Sequence, residues 1–331
     1  MDPPPIQYTT TSDGFSIAYS VTGTGPTLVL MPYPMSHLHL RWQNDPEFIQ
    51  PLASRFRLVQ YDGRGQGMSS RGLPEDHTHE DYVTDIAAVA DALHLGKFAI
   101  WADVFQTDVA VRYAVQHPDR VNSLILRNCT IKGESTIVAR LEDLALKDWD
   151  TFLGVIAQAL LPFTKGRTEI LAQSATQADY LARIRAIRNA DLTPVLPRVV
   201  CPVLVLAIFE GVIDFEQEAR RVAGLLPQSR LLLLKPEDLS GRHAQIAEEF
   251  LLTSEPQAVD GTSEQSLLSD RELDVVRLLV VGRSNQQIAD ELVLSVNTVA
   301  RHVANILSKT GTANRTEAAA FARDRGLISG I

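Results

Sequence analysis

The apolar positions of the chain follow two regimes. Over the first three quarters, short and nearly continuous runs of Val, Ile and Leu recur at 27–31 (TLVLM), 57–61 (RLVQY), 97–101 (KFAIW), 123–126 (SLIL), 203–206 (VLVL) and 231–234 (LLLL). Runs this short, without polar alternation, predict strands covered on both faces, as in a parallel sheet. Between them, 80–93, 107–116, 215–225 and 243–251 carry apolar residues at helical spacing. Alternating strands and helices predict a doubly wound α/β sheet. Residues from about 131 to 193 break that rhythm. They are helical in pattern throughout and carry Trp149, Phe152 and Phe163, which predicts a helical cap set into the sheet domain.

The second regime starts after 253–266 (TSEPQAVDGTSEQS), which is polar, contains Pro and Gly, and reads as a linker. Beyond it only helical periodicity remains, at 270–281, 285–292, 296–309 and 315–325, with Gly282, Gly311 and Gly326 at helix ends. The expected organisation is a body over 1–252, a linker over 253–266 and a small all-α four-helix domain over 267–331. Within the latter, 284–309 (SNQQIADELVLSVNTVARHVANILSK) reads as helix, turn, helix, with Ser295 as N-cap of the second helix. Val296, Val299, Val303 and Ile306 form its apolar stripe. The opposite face carries Asn297, Arg301, Asn305 and Ser308; Arg suits guanine and Asn suits adenine in a major groove. Thr298, His302 and Lys309 flank that face within reach of phosphates. Ser284 and Asn285, opening the preceding helix, suit a phosphate as well.

The tail segments LSDRELDVVRLL, GRSNQQIADEL, SVNTVARHV and NRTEAAAFA resemble the LuxR family of DNA-binding domains. That resemblance implies four helices, the third reading the major groove and the fourth pairing across a dimer, so double-stranded DNA and a homodimer are the expected partners. Ala300 departs from the family, which has Lys or Arg after Thr-Val.

The body resembles the α/β-hydrolase superfamily in TSDGFSIAYSVTGTGPTLVLMP, YDGRGQGMS, RYAVQHPDRVNSLIL and CPVLVL. An enzyme of that fold needs a nucleophile on a sharp strand-to-helix turn, G-x-S-x-G, an acid after a later strand, and a histidine near the end. Here the turn reads ADVFQ, which puts Val104 at the nucleophile position, and the best match to the histidine is Leu239. The acid loop offers Glu210 or Asp214. Pro32 and Pro34 remove two backbone N–H donors where an oxyanion would be held. A rescue would use Asp103 as nucleophile and a displaced His243 as base; otherwise His243 reads as a surface residue at a helix start. The glycines at 63, 65 and 67 read as a tight turn, since no Gly-Lys-Ser/Thr follows them to make a phosphate loop.

With the chemistry replaced, the carboxyl ends of the strands carry Tyr33, Val104, Phe105, Phe209 and Leu239, and the cap adds Trp149, Phe152 and Phe163. Such a lining suits a small apolar effector held by shape. The expected protein is a transcription regulator whose catalytically silent body senses that effector. Two alternatives stand beside it: a body that still hydrolyses its effector, and one that only dimerises.

Composition narrows the setting. Hydrophobic residues make 45% of the 331 positions and charged residues 21%, which excludes a disordered chain. The net charge of −9 argues against nucleic acid only until it is divided. From Gln265 onward there are 8 basic and 7 acidic residues, leaving 23 basic and 33 acidic before it, so the acidity belongs to the body. Cys129 and Cys201 are too few for a disulfide framework or zinc site. The pairs His37/His39 and His77/His79 lack clustered partners, and neither metal nor cofactor is expected. No basic-then-apolar leader opens the sequence and no run spans a bilayer, so a cytoplasmic protein without membrane contact is expected.

Overall fold

Eight strands form one sheet in the order β1-β2-β4-β3-β5-β6-β7-β8. They are β1 (Gln7–Thr10), β2 (Ser16–Thr22), β3 (Thr27–Leu30), β4 (Arg57–Tyr61), β5 (Phe98–Asp103), β6 (Val121–Arg127), β7 (Val203–Ile208) and β8 (Ser229–Leu234). β3 to β8 pair in parallel, while β1–β2 and β2–β4 are antiparallel. The computed structural model describes residues 3–33, 35–133, 142–160, 167–208, 215–235, 241–254, 270–292 and 314–324, and between the last two 296, 299, 302, 303, 306, 307, 310 and 312. It divides into two compact units, Met1–Pro256 and Gln257–Ile331.

The apolar runs of the inner strands follow from cover on both faces. Along β5, Phe98, Ile100 and Ala102 enter one core while Ala99 and Trp101 enter the other. β7 divides likewise, Val203, Val205 and Ala207 against Leu204 and Leu206. The first core is closed by α3 (Asp81–Ala92), whose Tyr82, Val83, Ile86, Val89 and Ala90 recur at helical spacing, by α4 (Gln106–Gln116), and by α9 (Phe215–Leu225). The second is closed by α1 (Leu38–Asn44), α2 (Pro46–Ala53) and α10 (His243–Ser254). β1 and β2 are the strands that the sequence pattern missed. β1 is a largely exposed edge and its partner mixes apolar with polar residues, so neither carries a continuous apolar run.

Between β6 and β7 come α5 (Glu142–Lys147), α6 (Trp149–Leu160), α7 (Arg167–Ser174) and α8 (Gln177–Arg188). An isolated bridge between Lys132 and Asp191 ties the two ends of this excursion together. The second unit holds α11 (Asp270–Val280), α12 (Asn285–Leu292) and α13 (Arg315–Asp324), with further helical positions from Val296 to Thr310. Its core is Val275, Val276, Leu279, Ile288, Ala289, Val299, Ile306, Ala318 and Ala322.

The glycine motif after β4 is scaffolding. Asp62 accepts from Ser36 Oγ at 2.6 Å, Leu38 N at 3.0 Å and Met68 N at 2.9 Å, so one buried carboxylate joins the loop after β3 to the glycine turn. Gly67 has φ +54, and a Cβ there would meet Asp62 Oδ2 at 2.0 Å. Arg64 completes the turn. Its Nε donates to Asp85 Oδ1 at 2.8 Å, and both side chains are 1% exposed. Asp85→Ala leaves that guanidinium short of a buried partner and is expected to destabilise the body by roughly 3–5 kcal/mol in urea unfolding. A loss within about 0.5 kcal/mol, the size expected of a surface change, would contradict this assignment.

Candidate functional site

The centre of the sheet ends in a strained turn. Between β5 and α4, Val104 has φ +52, a left-handed conformation that a β-branched residue rarely takes. It is held there from both sides: Val104 N–H donates to the Arg127 carbonyl at 2.8 Å, and Thr107 N–H donates back to the Val104 carbonyl at 3.2 Å. The Thr107 hydroxyl bonds the same carbonyl. A tight strand–turn–helix with one left-handed residue is the geometry that presents a nucleophile in hydrolase folds. The side chain presented here is an isopropyl group.

Around it the apolar residues close together. Val104 is 8% and Phe105 3% exposed, and they share a cluster with Met35, Phe152 and the partly buried Trp149. Trp149 stacks on Phe152 with ring centroids 5.2 Å apart, and Phe152 meets Tyr180 at 4.7 Å. Ile156, Leu171, Leu181 and Ile184 of the cap complete this core. Phe163, Phe209, Leu239, Glu210 and Asp214 lie outside the described residues. A surface depression of about 550 Å³ is lined by Pro46, Glu47, Gln50, Pro51 and Ser54 of α2, none of them among the expected ligand residues.

Tyr33 does not join the apolar cluster. Its hydroxyl accepts from Arg127 Nη2, and its ring lies beneath the Arg41 guanidinium, 4.1 Å from centroid to Cζ. Burial pushes the phenol up to about 12, against the opposing pull of Arg127. The sequence places Tyr33 in the effector lining but gives no sign of these polar contacts. Arg41 and Arg127 are isolated basic residues in sequence, and only the fold brings both to one tyrosine.

Asp103 and His243 are committed elsewhere. Asp103 Oδ1 accepts from Trp101 Nε1 at 2.9 Å and from Arg127 Nε at 2.7 Å, and Oδ2 from Arg127 Nη2 at 2.8 Å. The carboxylate is thus held by an indole and a bidentate guanidinium rather than aimed at the turn. His243, expected at the surface, is 3% exposed. It stacks on Phe48 at 4.3 Å, and its Nε2 donates to the Phe48 carbonyl at 2.7 Å. The first turn of α10 packs on α2, so its leading residue is inside.

His77, Cys129 and Cys201 are buried. His77 Nδ1 lies 3.1 Å from Asp81, and burial holds its imidazole down at about 4. Cys129 and Cys201 are buried free thiols. Burial pushes them up to about 12 and about 11, away from thiolate chemistry. Among the described residues, no three His, Cys, Asp or Glu side chains form a metal-sized group.

In the second unit, Ser284 and Gln287 cap α12 reciprocally. Gln287 N–H donates to Ser284 Oγ at 3.3 Å, and Ser284 N–H to Gln287 Oε1 at 2.9 Å. The Ser284 hydroxyl oxygen thus accepts within the cap, and its O–H proton is not used by that bond. Asn285 Oδ1 is buried without a hydrogen-bond partner among the described residues. His302 is half-buried, while Asn297, Thr298, Arg301, Asn305 and Lys309 lie outside the described residues. Val299 and Ile306 are fully buried and Val303 packs beside them, but Val296, expected in the same stripe, is 39% exposed. Val296 and Val303 lie on a line about 60° round the helix from Val299 and Ile306, at the margin of the core.

Comparison with known proteins addresses both units. Residues 33–186 match the α/β-hydrolase fold family, and residues 266–322 match the bacterial regulatory proteins of the luxR family. The pimeloyl-acyl-carrier-protein methyl ester esterase of Nitrosomonas europaea is 28% identical over 238 residues, covering 66% of this chain and 90% of that protein. The transcriptional regulatory protein LiaR of Bacillus subtilis is 39% identical over 62 residues, 19% of this chain and 29% of its own length. The crystal structure of a hydrolase from Pseudomonas aeruginosa superposes with a TM-score of 0.64 at 22% identity, over 76% of this chain and 99% of that one, and shows the fold alone.

The turn yields a prediction of its own. At ordinary helical or strand positions Ala is more stable than Gly, but at φ +52 a Cβ costs roughly 1–2 kcal/mol. Val104→Gly is therefore expected to unfold at higher denaturant than Val104→Ala, and the opposite order would remove the strain from this turn.

Proposed function

We propose that this chain, a LuxR-type DNA-binding regulator with an α/β-hydrolase-fold domain, uses that domain to bind a small effector without turning it over, and that the bound effector biases DNA binding by the tail. The observation that carries the reading is Val104: the nucleophile turn is kept, strain included, around a residue with no nucleophilic atom. Asp103, the adjacent carboxylate, is saturated by Trp101 and Arg127, and His243 is bonded to the Phe48 carbonyl. A protein that retains the costly turn but spends Asp103 and His243 on packing is better suited to holding a molecule than to cleaving it. Tyr33, Val104, Phe105, Trp149 and Phe152, with Phe163, Phe209 and Leu239 from the sequence, are the residues proposed to face the effector.

Control of DNA binding by the effector requires two states of the chain with different effector affinity. The reading face of the tail is proposed as Asn297, Arg301 and Asn305, with Ser284, Asn285, Thr298, His302 and Lys309 toward phosphates, in a homodimer on two half-sites. The acidic body suppresses non-specific association, so that the tail's own contacts select the site.

One observation favours a second reading. Met35, Val104 and Phe105 are each 8% exposed or less under the cap, as a purely structural core would be. In that reading the body only dimerises or docks, and no small molecule alters DNA affinity.

The DNA face and the two readings of the body are tested separately. In fluorescence anisotropy with operator DNA, Arg301→Ala is expected to cost roughly 1–3 kcal/mol and to relax preference at one base pair; unchanged affinity and preference would remove Arg301 from the reading face. Val104→Trp is expected to abolish the effector's influence on DNA affinity while leaving affinity without effector intact. Turnover of an ester by the full chain that disappears in Asp103→Asn would overturn the non-catalytic reading.

A further inference from the structure

Two arginines, Arg41 buried and Arg127 partly buried, stand beside the same aromatic pair, and they are used differently. Arg127 Cζ lies 5.8 Å from the Tyr33 ring centroid and 5.3 Å from that of Phe48; Arg41 Cζ lies 4.1 Å and 5.6 Å from the same two centroids. Arg127 turns its Nε–Nη2 edge to Asp103 and makes both bonds of a bidentate carboxylate pair, at 2.7 and 2.8 Å. That edge of a guanidinium matches the spacing of two carboxylate oxygens.

On Arg41 the same edge makes no hydrogen bond among the described residues. Arg41 is 7% exposed, and its Nε and Nη2 are buried with no hydrogen-bond partner among the described residues. The neighbouring acid is Asp45, whose Oδ2 stands 3.7 Å from Nε, beyond hydrogen-bond distance. Burial raises the Asp45 carboxyl above its ordinary range, and the pull of Arg41 does not overcome it. Asp45 opens α2 without a side-chain capping bond, so no cap holds it away from Arg41. Taking a guanidinium out of water and leaving its best edge unused is unfavourable, and a site that persists in this form needs a partner. Tyr33 and Phe48, the rings beside that guanidinium, are both only half-buried.

We propose that the Nε–Nη2 edge of Arg41 receives a carboxylate of the effector, and that the effector is a monocarboxylate with an apolar, preferably flat body that rests against Tyr33 and Phe48. A single planar negative charge fits one guanidinium edge. A multiply charged anion such as phosphate is disfavoured by Asp45 and Asp103 nearby and by the aromatic walls. Asp45 becomes the internal competitor: it stands where a carboxylate would approach, and a ligand that binds must displace its weak hold on Arg41. This inference names the ligand class for the effector reading above and rests on it.

The test is isothermal titration calorimetry of the full chain with phenylacetate, 3-phenylpropionate and octanoate, each against its methyl ester. The acids are expected to bind, with each ester at least about thirtyfold weaker, and Arg41→Gln is expected to weaken acid binding by a similar factor. Asp45→Asn is expected to act in the opposite direction and tighten acid binding several-fold, an outcome that loss of folding cannot imitate. Acids and esters that bind alike, with Arg41→Gln and Asp45→Asn silent, would overturn the carboxylate assignment and leave the effector reading standing. Absence of binding by acids and esters alike would overturn both.

Discussion

The bidentate pair between Asp103 and Arg127 sets the conditions for everything around it. The two residues are register partners at the carboxyl ends of adjacent central strands, where α/β folds place their chemistry. Their side chains neutralise each other, take up the Trp101 indole and reach the Tyr33 hydroxyl. The Arg127 main chain meanwhile accepts the Val104 N–H and pins the left-handed turn. One residue thus fixes both the conformation of the turn and the fate of the acid beside it. Buried ion pairs seldom add net stability over apolar packing, but losing one partner of such a pair is costly, so each residue holds the other in place.

Much of this architecture was readable from the chain, and the parts that were not share a cause. The inner strands announced themselves because burial on both faces demands continuous Val, Ile and Leu. β1 and β2 escaped because one is an exposed edge and the other mixes polar with apolar residues, so neither shows a continuous run. The ADVFQ turn puts Val104 at the nucleophile position, but nothing in the letters shows a valine at φ +52. His243 was misjudged because a polar residue opening a helix is more often solvated; here Phe48 supplies both a stacking face and a carbonyl. Val296 was placed in the core because its spacing to Val299 is helical, whereas the real stripe is narrower than the spacing rule allows. Arg41 and Arg127 could not be paired with Tyr33 from sequence at all, since the contact depends on α1 folding back over the loop after β3.

The two units divide the physical work. The body carries the excess acidity and a large apolar interior, both poor for DNA and good for excluding water from a bound molecule. The tail is close to neutral overall and stabilises a small core through Val299, Ile306 and their partners on α11, α12 and α13. The proposed effector reading requires that the body leave its ligand intact, because an effector consumed on binding could hold no conformational state.

That requirement is tested most directly by native mass spectrometry of the full chain, incubated for hours with apolar esters, lactones, phenols and carboxylic acids. The account predicts a bound species whose mass stays constant throughout and whose released ligand is unchanged. Accumulation of cleaved product at a rate proportional to protein would contradict it, and would show that the valine turn conceals a working enzyme.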